Sequence, residues 1–561
     1  MSGRRSRAIR RTMVMAMTAK PGAVGLAMIT PHAVSAATTS VACNVPALTS
    51  AITAADMSGG TLSLAAGCTY DLMTEFAKSS GTGLPIITNT ITIIGNGATI
   101  TRDAAAPDFR IIQIQQPGDL TLQDLTISNG SAPTESGVLS IGGGIVNAQG
   151  NLTVVRSSIS GNKVVATGSA ISAKGGGIVS FGGNTTITDS TVSGNRVSLI
   201  NSGNNSPFPP MAAGGGISIK GGTLKVRNST VAQNQVAVAG ASGTVVSASG
   251  GGISTRAGGE LPSLSGSVTI TGSTISGNTV SARLIVPTLN TPSAAHIAAT
   301  GSATAAGGGV EQTNVPVVNT NAVQPTLDTT IINSTVANNS VTGGTVSDAT
   351  GGALQMTSLK GDTLTVINDT VAGNSGGSIA QAGPGIATII NTILARTSGV
   401  NCVGAVPDGG HNISFPASDT SCANTFGNAD PVLGPLQNNG GGTFTMALGS
   451  GSAAIDGALA SRCQAPYPAG ASGVDQTGKA RPETSDDATC DIGAFEVTPA
   501  VVQPSPSPSA AAAAAAVSPK LPKAGAPGSQ GADAGWLAIP AILGAGALLA
   551  AGRRRRMQPP V

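Results

Sequence analysis

The chain has 561 residues, of which 78 are glycine, 10% are charged and 2% are aromatic. A net charge of only +3, with basic residues gathered at the two ends, speaks against a nucleic-acid partner. An apolar share of 40%, rich in Val, Ile and Leu, excludes a disordered chain and suits short strands joined by tight glycine turns.

Residues 1–36 read as an export leader. "MSGRRSRAIRRTMVMAMTAK" is a basic start, and a weakly apolar stretch follows it. Val34 and Ala36 supply small residues for cleavage after Ala36. In an exported chain, six cysteines suggest three disulfides. Six cysteines allow 15 pairings, and local spacing favours Cys43–Cys68, Cys402–Cys422 and Cys463–Cys490. None falls between residues 69 and 401, so such bonds would staple the ends and not the middle.

The middle of the chain repeats. The phrases SSISGN, STVSGN, STVAQN, STISGN, STVANN and DTVAGN close on Asn162, Asn195, Asn234, Asn278, Asn339 and Asn374. Eight residues before each Asn lies Val154, Ile187, Val226, Ile270, Ile331 or Val366. Three before lies Ile159, Val192, Val231, Ile275, Val336 or Val371. A glycine cluster opens each unit, from "GGGI" at 142–145 to "GGAL" at 351–354. Each unit therefore carries about three short strand signals separated by turns. One unit cannot bury its apolar face alone, but stacked units can. The expected fold is all-β, a parallel β-helix over residues 85–400.

The closing Asn is expected to take a left-handed turn conformation and to bond from coil to coil as a ladder. The triple glycines are expected at tight corners. None precedes Lys-Ser or Lys-Thr, and no G-G-x-G-x-D run occurs, so neither a phosphate loop nor a calcium roll is indicated. Between each closing Asn and the next glycines the chain makes an excursion of variable length, such as "KVVATGSAISAK" (163–174) or "RVSLINSGNNSPFPPMAA" (196–213). Projecting loops on a rigid stack are the expected place for binding.

"NADPVLGPLQNNGGGTFTMALGSGSAAIDGA" (428–458), "GVDQTGKARP" (473–482) and "CDIGAFE" (490–496) resemble the choice-of-anchor Q domain of secreted bacterial β-helix proteins. The resemblance implies a right-handed helix, an N-terminal cap over 37–84 and a small anchor-associated domain over 401–497. It implies no reaction. Asp430, Asp456, Asp475, Arg481, Asp491 and Glu496 are expected to be turn or ion-pair residues and not a metal site.

A Pro/Ala-rich linker (498–520) leads to Leu521, Pro522, Lys523, Ala524 and Gly525, then to an apolar run (536–552) and four arginines. This order resembles a sortase wall-sorting signal, with Ala524 in place of the usual Thr. The resemblance implies cleavage between Ala524 and Gly525 and attachment to the cell wall; the alternative is a membrane tail anchor through 536–552.

A hydrolase needs paired carboxylates, and a calcium-dependent lyase needs an acidic cluster with a basic residue. Acids are sparse over 85–396, and no Asp-Asp, Asn-x-Asp or Gly-His-Gly occurs there. His32, His296 and His411 have no evident partner, and Tyr70 and Tyr467 lie outside the repeats. No catalytic, cofactor-binding or metal residue is assigned. The sequence favours a non-enzymatic surface scaffold for display or adhesion, binding an unknown glycan or protein through its loops. The alternative is a polysaccharide lyase or glycoside hydrolase of the pectate-lyase-like type.

Overall fold

The computed structural model describes residues 38–498, apart from 79, 134–138, 170, 202–208, 259–263, 286–301, 317–322, 344–348 and 485–486. The leader, the linker from 499 on, the motif Leu521–Gly525 and the span 536–552 lie outside the described residues.

The apolar columns become stacked strands, because only a neighbouring coil can cover them. Ile145, Ile178, Ile217, Ile253, Val310 and Leu354 follow the glycines and form one parallel register column. A second column runs through Val154, Ile187, Val226, Ile270, Ile331 and Val366. A third runs through Ile159, Val192, Val231, Ile275, Val336 and Val371. All three columns meet in one continuous core. The fold is a right-handed parallel β-helix with three strands to a coil.

The stack is longer than the 85–400 expected from the repeats. At its start Thr38–Val41 pairs with Gly60–Leu64, which pairs with Thr90–Arg102. At its end Cys402–Val403 and Ile413–Phe415 add to the sheets of Ile379–Ala382 and Ile393–Ala395. These terminal coils lack the closing-Asn phrase, so the repeat did not reveal them. A helix, Val45–Ser58, is capped by Asn44, whose side chain accepts from the Ala47 amide at 2.9 Å. Its Leu48, Ile52 and Ala55 enter the core at the start of the stack. Disulfides join Cys43–Cys68, Cys402–Cys422 and Cys463–Cys490.

The excursions correct the expectation of free loops. Each leaves on one strand and returns on another, and both strands stack on those of the next coil. Outgoing strands such as Lys163–Gly168, Arg196–Asn201 and Gln235–Ala241 pair in parallel, as do returning strands such as Ser172–Lys174, Met211–Ala213 and Val245–Ser249. Val164, Leu199 and Val238 on one side meet Ala173, Ala212 and Ala248 on the other in a separate core. The excursions thus build a side lobe whose stems are ordered by the same register rule as the coils.

The segment after Phe415 corrects the expectation of a separate small domain over 401–497. It turns back along the stack. Thr443 Oγ1 donates to Gly272 O at 3.1 Å, and Thr274 Oγ1 donates to Phe444 O at 2.6 Å. Leu433, Met446, Ala454, Ala458 and Ile492 cover Ala337, Ala372, Ile393 and Ala395 in a third core.

Candidate functional site

The closing asparagines are fully buried and bonded from coil to coil. Nδ2 donates to the next Oδ1 from Asn162 to Asn195, Asn195 to Asn234 and so on to Asn374, at 2.9–3.1 Å. Each Oδ1 also accepts from the backbone amide one coil back, as Asn278 does from Asn234 at 3.0 Å. These asparagines are not the left-handed residues that the sequence suggested. That conformation falls one position earlier, at Gly161, Gly194, Gln233, Gly277, Asn338 and Gly373. The preceding residue turns the corner, which points the Asn side chain inward. In the earlier "LTISNG", Asn129 takes the left-handed position, and Gly130 can only donate its backbone N–H, to Asn162 Oδ1 at 2.9 Å.

A second ladder was missed. The backbone amides of Ser157, Ser190, Ser229 and Ser273 donate to the hydroxyls of Ser190, Ser229, Ser273 and Ser334 at 3.0–3.1 Å. Asp369 continues the run by accepting from Ser334 N at 2.6 Å, and its own amide donates to Thr392 Oγ1 at 3.4 Å. Complete burial holds its carboxyl well above the usual range. The signal was the first letter of each phrase.

Both ladders are scaffold; the outward residue of the neighbouring corner is different. Asp124, Arg156, Asp189, Asn228, Gly272, Asn333 and Asn368 all hold positive φ there, one per coil. Arg156 grips Asp124 with two bonds, of 2.8 and 2.9 Å, which holds that carboxyl below its ordinary range. Asp189 and Arg227 are exposed, and their side chains have no hydrogen bond or ion pair among the described residues.

At Asn333 the returning segment meets this corner. Asn333 Nδ2 donates to Val474 O at 3.1 Å, and its Oδ1 accepts from Arg481 at 3.2 Å. Arg481 Nε lies 2.7 Å from Glu496 Oε2, with both side chains wholly buried. Arg481 also donates to the carbonyls of Asp491 and Gly493. Asp475 accepts from the amides of Thr477, Lys479 and Glu496, Asp491 from those of Asp456 and Val497, and Asp430 from that of Val432. Asp456 holds positive φ at a turn. Burial pushes Glu496 up to about 7, against the pull of Arg481. These groups pin a segment and leave little valence for a ligand.

Clefts open on both sides of Gly442–Phe444. One, of about 340 Å³, is lined by Asp189, Arg227, Asn228 and Tyr467. The other, of about 600 Å³, lies between Phe444 and the strand residues Thr274 and Ser276. A further hollow of about 450 Å³ holds Asp124, Arg156 and Asp189. The fold-back brings Tyr467 to the repeats, which no local sequence signal showed. His411 bonds Gly457 O through Nδ1 at 2.9 Å.

The cleft of about 340 Å³ and the hollow of about 450 Å³ share Asp189, and this groove of two parts gathers two carboxylates and two guanidinium groups that the sequence left apart. With one coil every ~4.8 Å, Asp124 and Asp189 stand roughly 10 Å apart, and Arg156 lies between them. An acid–base pair for glycoside hydrolysis needs that gap open for water. Asp124 is also held ionised, the wrong form for a proton donor. No group of three His, Cys, Asp or Glu that could hold a metal occurs among the described residues.

No family model matches the chain, and no curated protein matches it. Among solved structures it is similar to the crystal structure of a pectate lyase, Pel9A. The TM-score is 0.36 and the identity 14%, with 82% of this chain and 96% of that chain covered. A likeness of that degree carries no inference about activity.

Proposed function

We propose that this chain is an exported surface protein, related to the choice-of-anchor Q group, that displays a non-enzymatic β-helix for adhesion. Its C-terminus would be joined to the cell wall through Leu521, Pro522, Lys523, Ala524 and Gly525, or held in the membrane by 536–552. The observation that carries the reading is the side lobe. Tolerated insertions need not pair with one another, yet the stems of these excursions stack in register around their own core. A built platform on one flank of a rigid stack supports presentation to a partner. The leader, the Pro-Ser-rich linker and three disulfides support export.

The test uses residues 38–498 on glycan and matrix-protein arrays, with lyase and hydrolase assays on acidic polysaccharides in parallel. Saturable binding without turnover is expected. Turnover of any polymer sinks the display reading and favours the alternative, a lyase or hydrolase acting through Asp124, Asp189, Arg156 and Arg227. Loss of that turnover in Asp189→Asn would place it in this groove. Cell fractionation tests the anchor: most of the mature protein in the medium of intact cells would rule it out.

A further inference from the structure

We propose that the cleft beneath the returning C-terminal segment is a subsite for a neutral glycan, with Tyr467 as its stacking platform. The inference rests on the display reading and names a ligand class and a place for it. The place is the seam between the coils and the returning segment, and not the side lobe.

The cleft of about 340 Å³ falls in the range of small-ligand sites and suits one or two sugar rings. Tyr467 is 39% exposed, and its backbone amide donates to Ser472 Oγ at 3.1 Å. The loop that carries the ring is therefore tied while part of the ring surface meets solvent. An aromatic held this way offers a flat apolar surface at little entropic cost. The C–H face of a pyranose fits such a surface.

The polar groups around the ring fit hydroxyls. Asp189 only accepts, Arg227 only donates, and Asn228 does both. The side chains of Asp189 and Arg227 have no hydrogen bond or ion pair among the described residues, so their valences are open to a ligand. Asp475 also lines the cleft, but its oxygens are occupied by the amides of Thr477, Lys479 and Glu496. One open carboxylate beside one open guanidinium leaves the contact set near neutral. That balance favours an uncharged sugar over a polyanion, which would meet Asp189, or a polycation, which would meet Arg227. Phe444, 51% exposed in the neighbouring cleft, sets a second aromatic along the same seam.

The experiment titrates residues 38–498 with neutral tetrasaccharides of glucose, mannose and N-acetylglucosamine, and with an oligogalacturonate as the charged probe. At least one neutral probe is expected to bind with little salt dependence. Tyr467→Ala and Arg227→Ala should each weaken it roughly tenfold or more, while Tyr467→Phe keeps the ring and most of the affinity. Arg227 is exposed, so its variant keeps the test valid if Tyr467→Ala misfolds. Binding of the charged probe alone overturns the proposal. Binding of any glycan or protein that survives both alanine variants overturns the proposal and leaves the display reading standing. No binding to any probe or to the arrays removes both.

Discussion

At the scale of single residues, the repeat is held by side chains that replace backbone partners. Asn278 shows how much rests on one amide. Its Nδ2 donates to Val231 O and to Asn339 Oδ1, both at 2.9 Å, and its Oδ1 accepts from Asn234 N. Alanine there would leave buried groups without their partner in the two flanking coils. Asn278→Ala is expected to cost at least about 1–3 kcal/mol in urea unfolding. Asn278→Asp should cost more, because its carboxylate would face two acceptors in a buried site. Thermal unfolding unchanged in both variants would show that the ladder adds nothing to stability. The preceding glycine contributes through its backbone instead. Gly277 holds φ at +63°, and its freedom lets the chain turn while Asn278 points inward.

At the scale of elements, one column records where the returning segment lies. Its positions are Ser160, Ser193, Ala232, Ser276, Ala337, Ala372 and Ala395. Ala337, Ala372 and Ala395 are buried under that segment, whereas Ser160 and Ser193 are half-buried on the open face. Ala372→Gln is therefore expected to overpack the seam and cost about 1–3 kcal/mol. Ser160→Gln should stay within about 0.5 kcal/mol. Limited proteolysis reads the same contrast: the first variant should release fragments cut after residue 427 sooner than wild type, and equal rates would argue against the docking. This change from Ser to Ala was visible in the phrases, but nothing local said what it meant. The core columns were legible because each stacked coil imposes the same demand at Val154, Ile187 and their counterparts. The Ser ladder was visible too, yet Ser157 and Ser190 also suit a turn. The lobe was hidden because Val164 and Ala166 alternate over too few residues to mark a strand without partners. The seam was hidden because it joins Gly272 to Thr443, and chain separation of that order leaves no pattern in either segment.

At the scale of the whole molecule, the returning segment is joined to the coils at a seam whose centre is a buried ion pair. Such pairs add little net stability, but removing one partner strands the other. The pH dependence follows from Glu496. Unfolded, it ionises near its ordinary 4.5; folded, burial raises this to about 7. Between those values the folded chain holds a proton that the unfolded chain has lost. Stability should therefore fall as pH rises from about 4.5 to about 7, by up to about 3 kcal/mol, and level off above. Asp369 and Asp491 are also raised by burial and act in the same direction. Their contribution persists in Glu496→Gln, which is neutral at every pH. Subtracting the variant's stability curve from that of wild type isolates Glu496. A difference that declines between about pH 4.5 and 7 is expected. A flat difference from pH 4 to 8 would mean that the Arg481 charge fully offsets the burial. The seam would then be an ion pair throughout that range, and Arg481→Met would unfold it equally at every pH.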